Sequence, residues 1–343
     1  MTRRERVQRV LQHEEVDRLP TQANFTKVMR KKIADHLSIS ETEVDNRFDN
    51  HLLRVDLTYQ KGMFKEQSSA ADWWGVAFDT REEGYFIKNH PMTDTKDLSD
   101  FPWPDPDKPG LLREAEAAVK RADATGGESR PFIIPNLGFA LFERAWSLRG
   151  MEQFMMDLAL DEVWCEELLE RITRIQVRLA ERYVEAGVDG GYFGDDLGAQ
   201  KGLLFSPEVW RRLFKPRLKR MFRVFTDAGL PVIMHSDGDI GEIIPDLIDI
   251  GLSCLNPCQP EVLDHGKLKK EFGSRLSFYG GLSTQGILPR GKPEEVRAAA
   301  AECIAELGSD GTGFIFGPSH RMMSDIPMEN IVELLHSLSY CKL

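Results

Sequence analysis

The sequence has no run of eighteen apolar residues, so it holds no segment of the length and character of a membrane-spanning helix. It is short of cysteine: Cys165, Cys254, Cys258, Cys303 and Cys341 are scattered and odd in number, which excludes a disulfide framework. Cys254 and Cys258 lie close together, but no second pair completes a zinc ribbon. Cations are outnumbered, 44 Lys and Arg against 55 Asp and Glu, for a net charge of -11. Binding to nucleic acid or to an anionic membrane neutralises phosphates with cations, so neither is an expected partner. No Gly-x-Gly-x-x-Gly follows an apolar run, so the dinucleotide fingerprint is missing. The opening Met1-Thr2-Arg3-Arg4-Glu5-Arg6-Val7 has no apolar stretch of signal-peptide type, and the expectation is a cytoplasmic protein with reduced thiols.

What is present fits a packed globule. The chain has 343 residues, 41% of them hydrophobic and 29% charged, enough for one α/β barrel with additions or for two average domains. The first twenty residues read as an amphipathic helix with Val7, Val10 and Leu11 on one face. Residues 24–65 read as helical and polar, and 72–79 alternate like a strand or hairpin. The stretch 91–109 carries five prolines and five aspartates and reads as a surface connection. Residues 1–110 are therefore expected to form an N-terminal helical and hairpin extension, and 111–343 most of the barrel, within one domain.

After residue 130 short apolar runs alternate with amphipathic helices. The runs are 132–135, 190–194, 231–235, 253–256, 276–280 and 313–317; helices are expected at 139–147, 151–186, 207–228, 240–249, 261–271, 293–307 and 327–337. Strands buried on both faces and separated by helices make a parallel sheet. Six such units are visible, and the N-terminal part is left to supply two more. The predicted fold is an α/β (β/α)8 TIM barrel with N-terminal helical additions, ahead of an open doubly wound sheet.

Reactive groups of such barrels gather where strands end. Those positions hold Asp195 and Asp196, His235 with Asp237 and Asp239, Asn256 with Cys258 and Gln259, and His320 with Arg321; the first unit adds Asn136, Glu143 and Arg144. Two histidines, carboxylates, amides and arginines converging on one rim point to a catalytic or metal-binding mouth. Each has a structural alternative. Either aspartate of the 195–196 pair makes a good helix cap, and adjacent side chains rarely share one pocket. Cys258 reads better as a buried thiol than as a ligand.

Several blocks carry a resemblance. Thr2-Arg3-Arg4-Glu5-Arg6-Val7 with Val16-Asp17-Arg18-Leu19-Pro20, then Phe193-Gly194-Asp195-Asp196-Leu197-Gly198, Phe205-Ser206-Pro207-Glu208, Asn256-Pro257-Cys258-Gln259-Pro260 and the closing Pro318-Ser319-His320 through Asp325-Ile326-Pro327-Met328-Glu329-Asn330-Ile331 resemble the uroporphyrinogen decarboxylase superfamily in order along the chain. The resemblance implies a (β/α)8 barrel and one of two chemistries. True decarboxylases carry an arginine-rich block after the first proline; here that stretch is Thr21-Gln22-Ala23-Asn24-Phe25-Thr26. A substrate with eight carboxylates needs several cationic partners, so a porphyrinogen fits poorly. The other branch comprises methyltransferases that work with corrinoid proteins, some with zinc held by a His-x-Cys pair and a late Cys. Those positions fall on His235, Asp237 and His320, a set that suits zinc or another divalent metal such as iron.

The implied activity is thus a metal-assisted methyltransferase of O-demethylase type. It would act on a small methoxylated or methylated donor and pass the methyl to a corrinoid protein, the cobalamin being carried by that partner. Asp195, Asp196, His235 and His320 are the implied catalytic residues; Asn136, Glu143, Arg144, Asn256, Gln259 and Arg321 are candidates for binding substrate. Superfamily members often form homodimers, which the resemblance implies here too. The alternatives are a cofactor-free decarboxylase of a smaller carboxylated substrate and a non-catalytic ligand-binding barrel.

Overall fold

The computed structural model of the chain describes residues 1–58, 69–79, 83–84 and 86–341. In chain order the strands are β1 (Leu52–Val55), then β2 (Ser69–Ala71), β3 (Ala77–Asp79) and β4 (Phe86–Asn89), then β5 (Phe132–Pro135) and β6 (Gly191–Gly194). A short hairpin of β7 (Gly198–Ala199) and β8 (Gly202–Leu203) precedes β9 (Val232–His235), β10 (Cys254–Asn256), β11 (Ser277–Leu282) and β12 (Phe314–Pro318). Strands β6, β9, β10, β11 and β12 lie side by side in parallel, and β1 pairs with β5 in parallel.

Two seams join these sheets into a ring. At the first, Leu137, just past β5, forms a parallel bridge to Phe193, its N–H donating to the Tyr192 carbonyl at 3.1 Å. At the second, residues 20–22 run between β12 and β1. The Phe316 N–H donates to the Pro20 carbonyl and the Gln22 N–H to the Phe316 carbonyl, both at 2.9 Å, while the His51 N–H reaches the Thr21 carbonyl at 3.0 Å. Gly317 makes this seam possible, because a Cβ there would lie 2.0 Å from the Gln22 carbonyl oxygen. Residues 20–22 with β1, β5, β6, β9, β10, β11 and β12 thus make the eight parallel staves of a (β/α)8 barrel.

The second of these staves corrects the reading of residues 24–65 as helical. Helices Lys27–Leu37 and Val44–Arg47 lie there, but Leu52–Val55 is barrel strand, and 59–65 fall outside the described residues. The long helix expected over 151–186 is broken at Asp161 into Met151–Leu160 and Glu162–Glu185; the Asp161 side chain accepts the Trp164 N–H and starts the second. The segment 72–79 is the turn and second strand of the antiparallel sheet β2–β3–β4. Among the described residues no helix is long and apolar enough to cross a membrane.

Alternation along the staves sorts side chains into two shells. Leu52, Phe132, Ile134, Tyr192, Ile233, Cys254, Tyr279 and Ile315 point inward as one cluster. The intervening Ile133, Phe193, Val232, Met234, Leu255, Phe278, Phe314 and Phe316 pack outward against the helices. The inner cluster is closed from below by Val7, Val10 and Leu11 of helix Arg3–Leu11. That helix starts in a capping box, the Thr2 hydroxyl accepting the Glu5 N–H and the Glu5 carboxylate accepting the Thr2 N–H. The buried Arg6 forks onto both oxygens of Asp17 at 2.7 Å. The same inward parity continued past the upper ends of the strands selects Asp56, Asn136, Asp196, His235, Asp237 and Asn256.

Candidate metal centre

His235 ends β9, and its tautomer is set by its neighbours. The Asn256 amide nitrogen donates to the Tyr279 carbonyl at 3.0 Å, so its oxygen faces the other way. That oxygen accepts the Tyr192 hydroxyl at 3.2 Å and lies 2.7 Å from His235 Nδ1. An amide oxygen only accepts, so Nδ1 carries the proton and Nε2 presents its lone pair to the mouth. Fixing the far nitrogen of a ligand histidine in this way is a common feature of metal sites.

Nε2 of His235 lies 3.8 Å from Asp237 Oδ1, and His320 Nε2 lies 3.8 Å from Asp237 Oδ2, so one carboxylate stands between two imidazoles. The three residues offer donor atoms that all lie within 4.8 Å of one another. Tetrahedral zinc at about 2.0–2.1 Å from its ligands needs donors roughly 3.3 Å apart, so side chains now spaced from 3.8 Å up to 4.8 Å would draw in on binding it. Two neutral nitrogens and a carboxylate are a suitable donor set for zinc or ferrous iron. Asp196 stands beside them: its Oδ1 is 3.8 Å from His235 Nε2 and accepts the Asp237 N–H at 2.9 Å.

The electrostatics suit a cation. Burial pushes the Asp237 carboxyl up to about 6; His235 opposes this, while Asp196 and Glu261 add to it. Burial pushes His320 down to about 4, and its neighbours His235 and Arg321 act in the same direction. His320 is therefore a neutral imidazole at pH 7, the form that binds metal. The loop that carries Asp237 is pinned from two sides. Gly238 (φ +82°) packs so closely on Gly198 that a Cβ would lie 2.4 Å from the Gly198 carbonyl carbon, and the Gly238 N–H donates to Gln259 Oε1 at 3.1 Å.

Several residues named from the sequence stand elsewhere. Asp195 has outward parity and is fully buried; its two oxygens accept the N–H groups of Phe142 and Glu143 at 2.9 and 2.7 Å. It anchors the start of helix Phe142–Arg149 to β6 and is no group of the mouth, which corrects its assignment as catalytic. Burial pushes it up to about 7 against those donors. Arg144 is buried, donates to Asp72 Oδ2 at 2.8 Å and stacks over Trp74, so it ties the antiparallel sheet to the barrel instead of clamping substrate. Glu143 is buried too, its carboxyl raised well above the ordinary value by burial and by Asp196 and Asp195.

Asn256 and Gln259, expected to bind substrate, hold His235 and the Asp237 loop in place. Arg321 donates to the Glu83 carbonyl at 2.9 Å. Asn136 does face the lumen, donating to Asp56 Oδ1 at 2.8 Å. Cys258 is a buried thiol pushed up to about 12, its Sγ 3.3 Å from the Leu255 carbonyl.

The sequence reading missed Arg54 and Asp56, both inside residues taken as helical, and Asn24, whose amide donates to the Tyr279 hydroxyl at 3.0 Å. Glu261, which accepts a hydrogen bond from the Ser283 hydroxyl, falls where the sequence reads as the start of a helix. Alternation from Leu52 through Arg54 to Asp56 was the signal available for the first two.

Comparison with known proteins agrees with this architecture. Residues 69–339 match the family described as Uroporphyrinogen decarboxylase (URO-D). A uroporphyrinogen decarboxylase from Thermus thermophilus is 26% identical over 226 residues, 61% of this chain and 62% of that protein. A methylated-thiol–coenzyme M methyltransferase from Methanosarcina mazei is 24% identical over 199 residues, 58% of this chain and 50% of that protein. The chain thus spans between half and two thirds of these relatives. The solved structure of a methyltransferase from Methanosarcina mazei superposes with a TM-score of 0.72 at 20% identity, covering 99% of each chain, a likeness of fold. With the family match extending over most of its length, the chain belongs to the uroporphyrinogen decarboxylase family.

Proposed function

We propose that this chain is a methyltransferase that takes a methyl group from a small methoxylated or methylated compound and passes it to a corrinoid protein, with zinc or ferrous iron held by His235, Asp237 and His320. The observation that carries this reading is the convergence of those three donors at the barrel mouth, with His235 Nε2 presented by Asn256. When bound, the metal supplies Lewis acidity to the donor oxygen. The protein's own groups do the rest. The Asn256–Tyr192–Tyr279 network holds the His235 ring, and Gln259 with the Gly198–Gly238 contact holds the Asp237 loop. As the O–CH3 bond breaks, both electrons stay on oxygen and the methyl goes to the corrinoid; the oxygen takes its proton from water, with Asp196 beside His235 placed to relay it. Asp56 and Asn136 line the lumen where the substrate body would be oriented.

An acidic mouth is unsuited to a polyanionic porphyrinogen. Asp56, Asp196, Asp237 and Glu261 surround the site, and Arg144 is engaged by Asp72. Decarboxylation of a smaller acid is the second reading, supported by the relatives named uroporphyrinogen decarboxylase. One assay separates the two: zinc-loaded protein is incubated with a panel of methoxylated compounds and cob(I)alamin. The proposal predicts free alcohol and methylated cobalamin in equal amounts. Carbon dioxide release without demethylation would replace it with the second reading.

A further inference from the structure

Gln259 is a buried side chain with half of its amide unused. Only 3% of the residue is exposed, and its Oε1 accepts the Gly238 N–H at 3.1 Å. A backbone N–H only donates, so this contact fixes which end of the amide is oxygen and turns Nε2 away from it. Among the described residues Nε2 has no hydrogen-bond partner, and it is closed to solvent. A buried amide donor left in this state costs free energy, and such groups are rare in folded proteins. The segment that delivers it is strained as well. Cys258, just before it, holds a φ of +53°, which a residue other than glycine adopts at a cost.

The Asp237 carboxylate has the complementary lack. Among the described residues no donor lies within hydrogen-bond distance of its oxygens; their neighbours are the two imidazole Nε2 atoms, each 3.8 Å away. The N–H that Gln259 holds belongs to the residue after Asp237, so donor and acceptor flank the same peptide unit. Other carboxylates nearby are engaged. Glu261 is exposed to water and accepts the Ser283 hydroxyl, and Asp239 Oδ1 accepts the Gly241 N–H at 3.0 Å. The His235 ring is held by Asn256, so gathering the three ligand atoms around one ion falls mainly to Asp237 and His320. An aspartate that gives one oxygen to a metal keeps the other for a donor from its surroundings. We infer that Gln259 is a positioning residue of the metal centre, its Nε2 donating to the Asp237 carboxylate once that carboxylate has turned to the ion. The unpaired donor of the metal-free protein then gains its acceptor, and that gain adds to metal affinity. This rests on the metal reading of His235, Asp237 and His320, and on no assumption about the methyl donor or the corrinoid.

The test is structural and spectroscopic, on the full chain with zinc alone. In nitrogen-15 spectra of the wild type, zinc should move one of the two Gln259 Nε2 protons downfield and slow its exchange with water. A crystal structure of the zinc-loaded protein should place Nε2 within hydrogen-bond distance of an Asp237 carboxylate oxygen. Gln259→Met should weaken zinc binding by about 10–100-fold in a competition titration with a chelating dye. Should that variant fold poorly, the two wild-type measurements stand without it. Zinc held by His235, Asp237 and His320 with Nε2 still unpaired, or paired with Glu261 instead, would overturn this inference alone. So would an unchanged zinc affinity in folded Gln259→Met. Zinc held elsewhere, or not at all, would overturn the metal reading and this inference with it.

Discussion

The floor and the mouth of this barrel are built on the same strands, two to four residues apart, and differ in every other respect. At the floor, Tyr192, Ile233, Cys254 and Ile315 close on Val7, Val10 and Leu11 in a buried apolar cluster. One step up, Asp196, His235 and Asn256 bring charge, a lone pair and an amide network to the same axis. Inward parity makes core where residues are apolar and a site where they are polar; what changes is only the composition of the layer. Charge behaves oppositely at the two ends. Below, the Arg6 fork holds Asp17 well under the ordinary carboxylate range, whereas above, burial drives Asp237 upward.

The sharpest way to break this contrast is to exchange small side chains into each layer. Ile233→Ala in the floor should cost about 2–5 kcal/mol of stability, from lost burial and the cavity left behind, with the metal ligands untouched. Denaturant unfolding would measure it; a loss below about 1 kcal/mol would mean that the floor is loosely packed. Asn256→Ala, one layer up, should weaken zinc binding by about 10–100-fold, because the His235 ring loses the acceptor that fixes its tautomer. Competition titration with a chelating dye would check it, and an unchanged affinity would remove the orienting role.

A smaller effect follows from pH. Asp237 is raised above the ordinary aspartate value, so the metal-free fold bears the cost of its ionised form above about pH 6 and is relieved of it as pH falls toward about 4. Asp17 is lowered, so its contribution is present above about pH 4 and fades below it. Zinc affinity should therefore fall by about tenfold or more per pH unit below about 6, as protons compete for the donor atoms, while the fold persists until below about 4. Parallel metal-release and circular-dichroism titrations would show the two midpoints; coincident midpoints would contradict the separation.

The six staves after residue 130 were legible because each is an apolar run between helical patterns, and the family blocks at His235, Asn256 and His320 fell at strand ends as expected. The first two staves were not. Residues 20–22 are too short, and begin with proline; Leu52–Val55 lies in a polar stretch and carries an inward arginine that breaks the apolar pattern. The choice between Asp195 and Asp196 turned on parity: Asp196 shares the register of Tyr192 and Gly194, and Asp195 that of outward Phe193. Arg144 was assigned to the mouth because its pairing with Asp72 depends on a sheet far away in sequence.

The central claim is that His235, Asp237 and His320 hold one divalent metal. The most direct measurement is the metal content of protein purified without chelators, by mass spectrometry, beside His235→Ala and His320→Ala variants of demonstrated fold. The account predicts about one zinc or iron per chain in the wild type and close to none in either variant. A wild type without metal even after reconstitution, or variants that keep it in full, would contradict it.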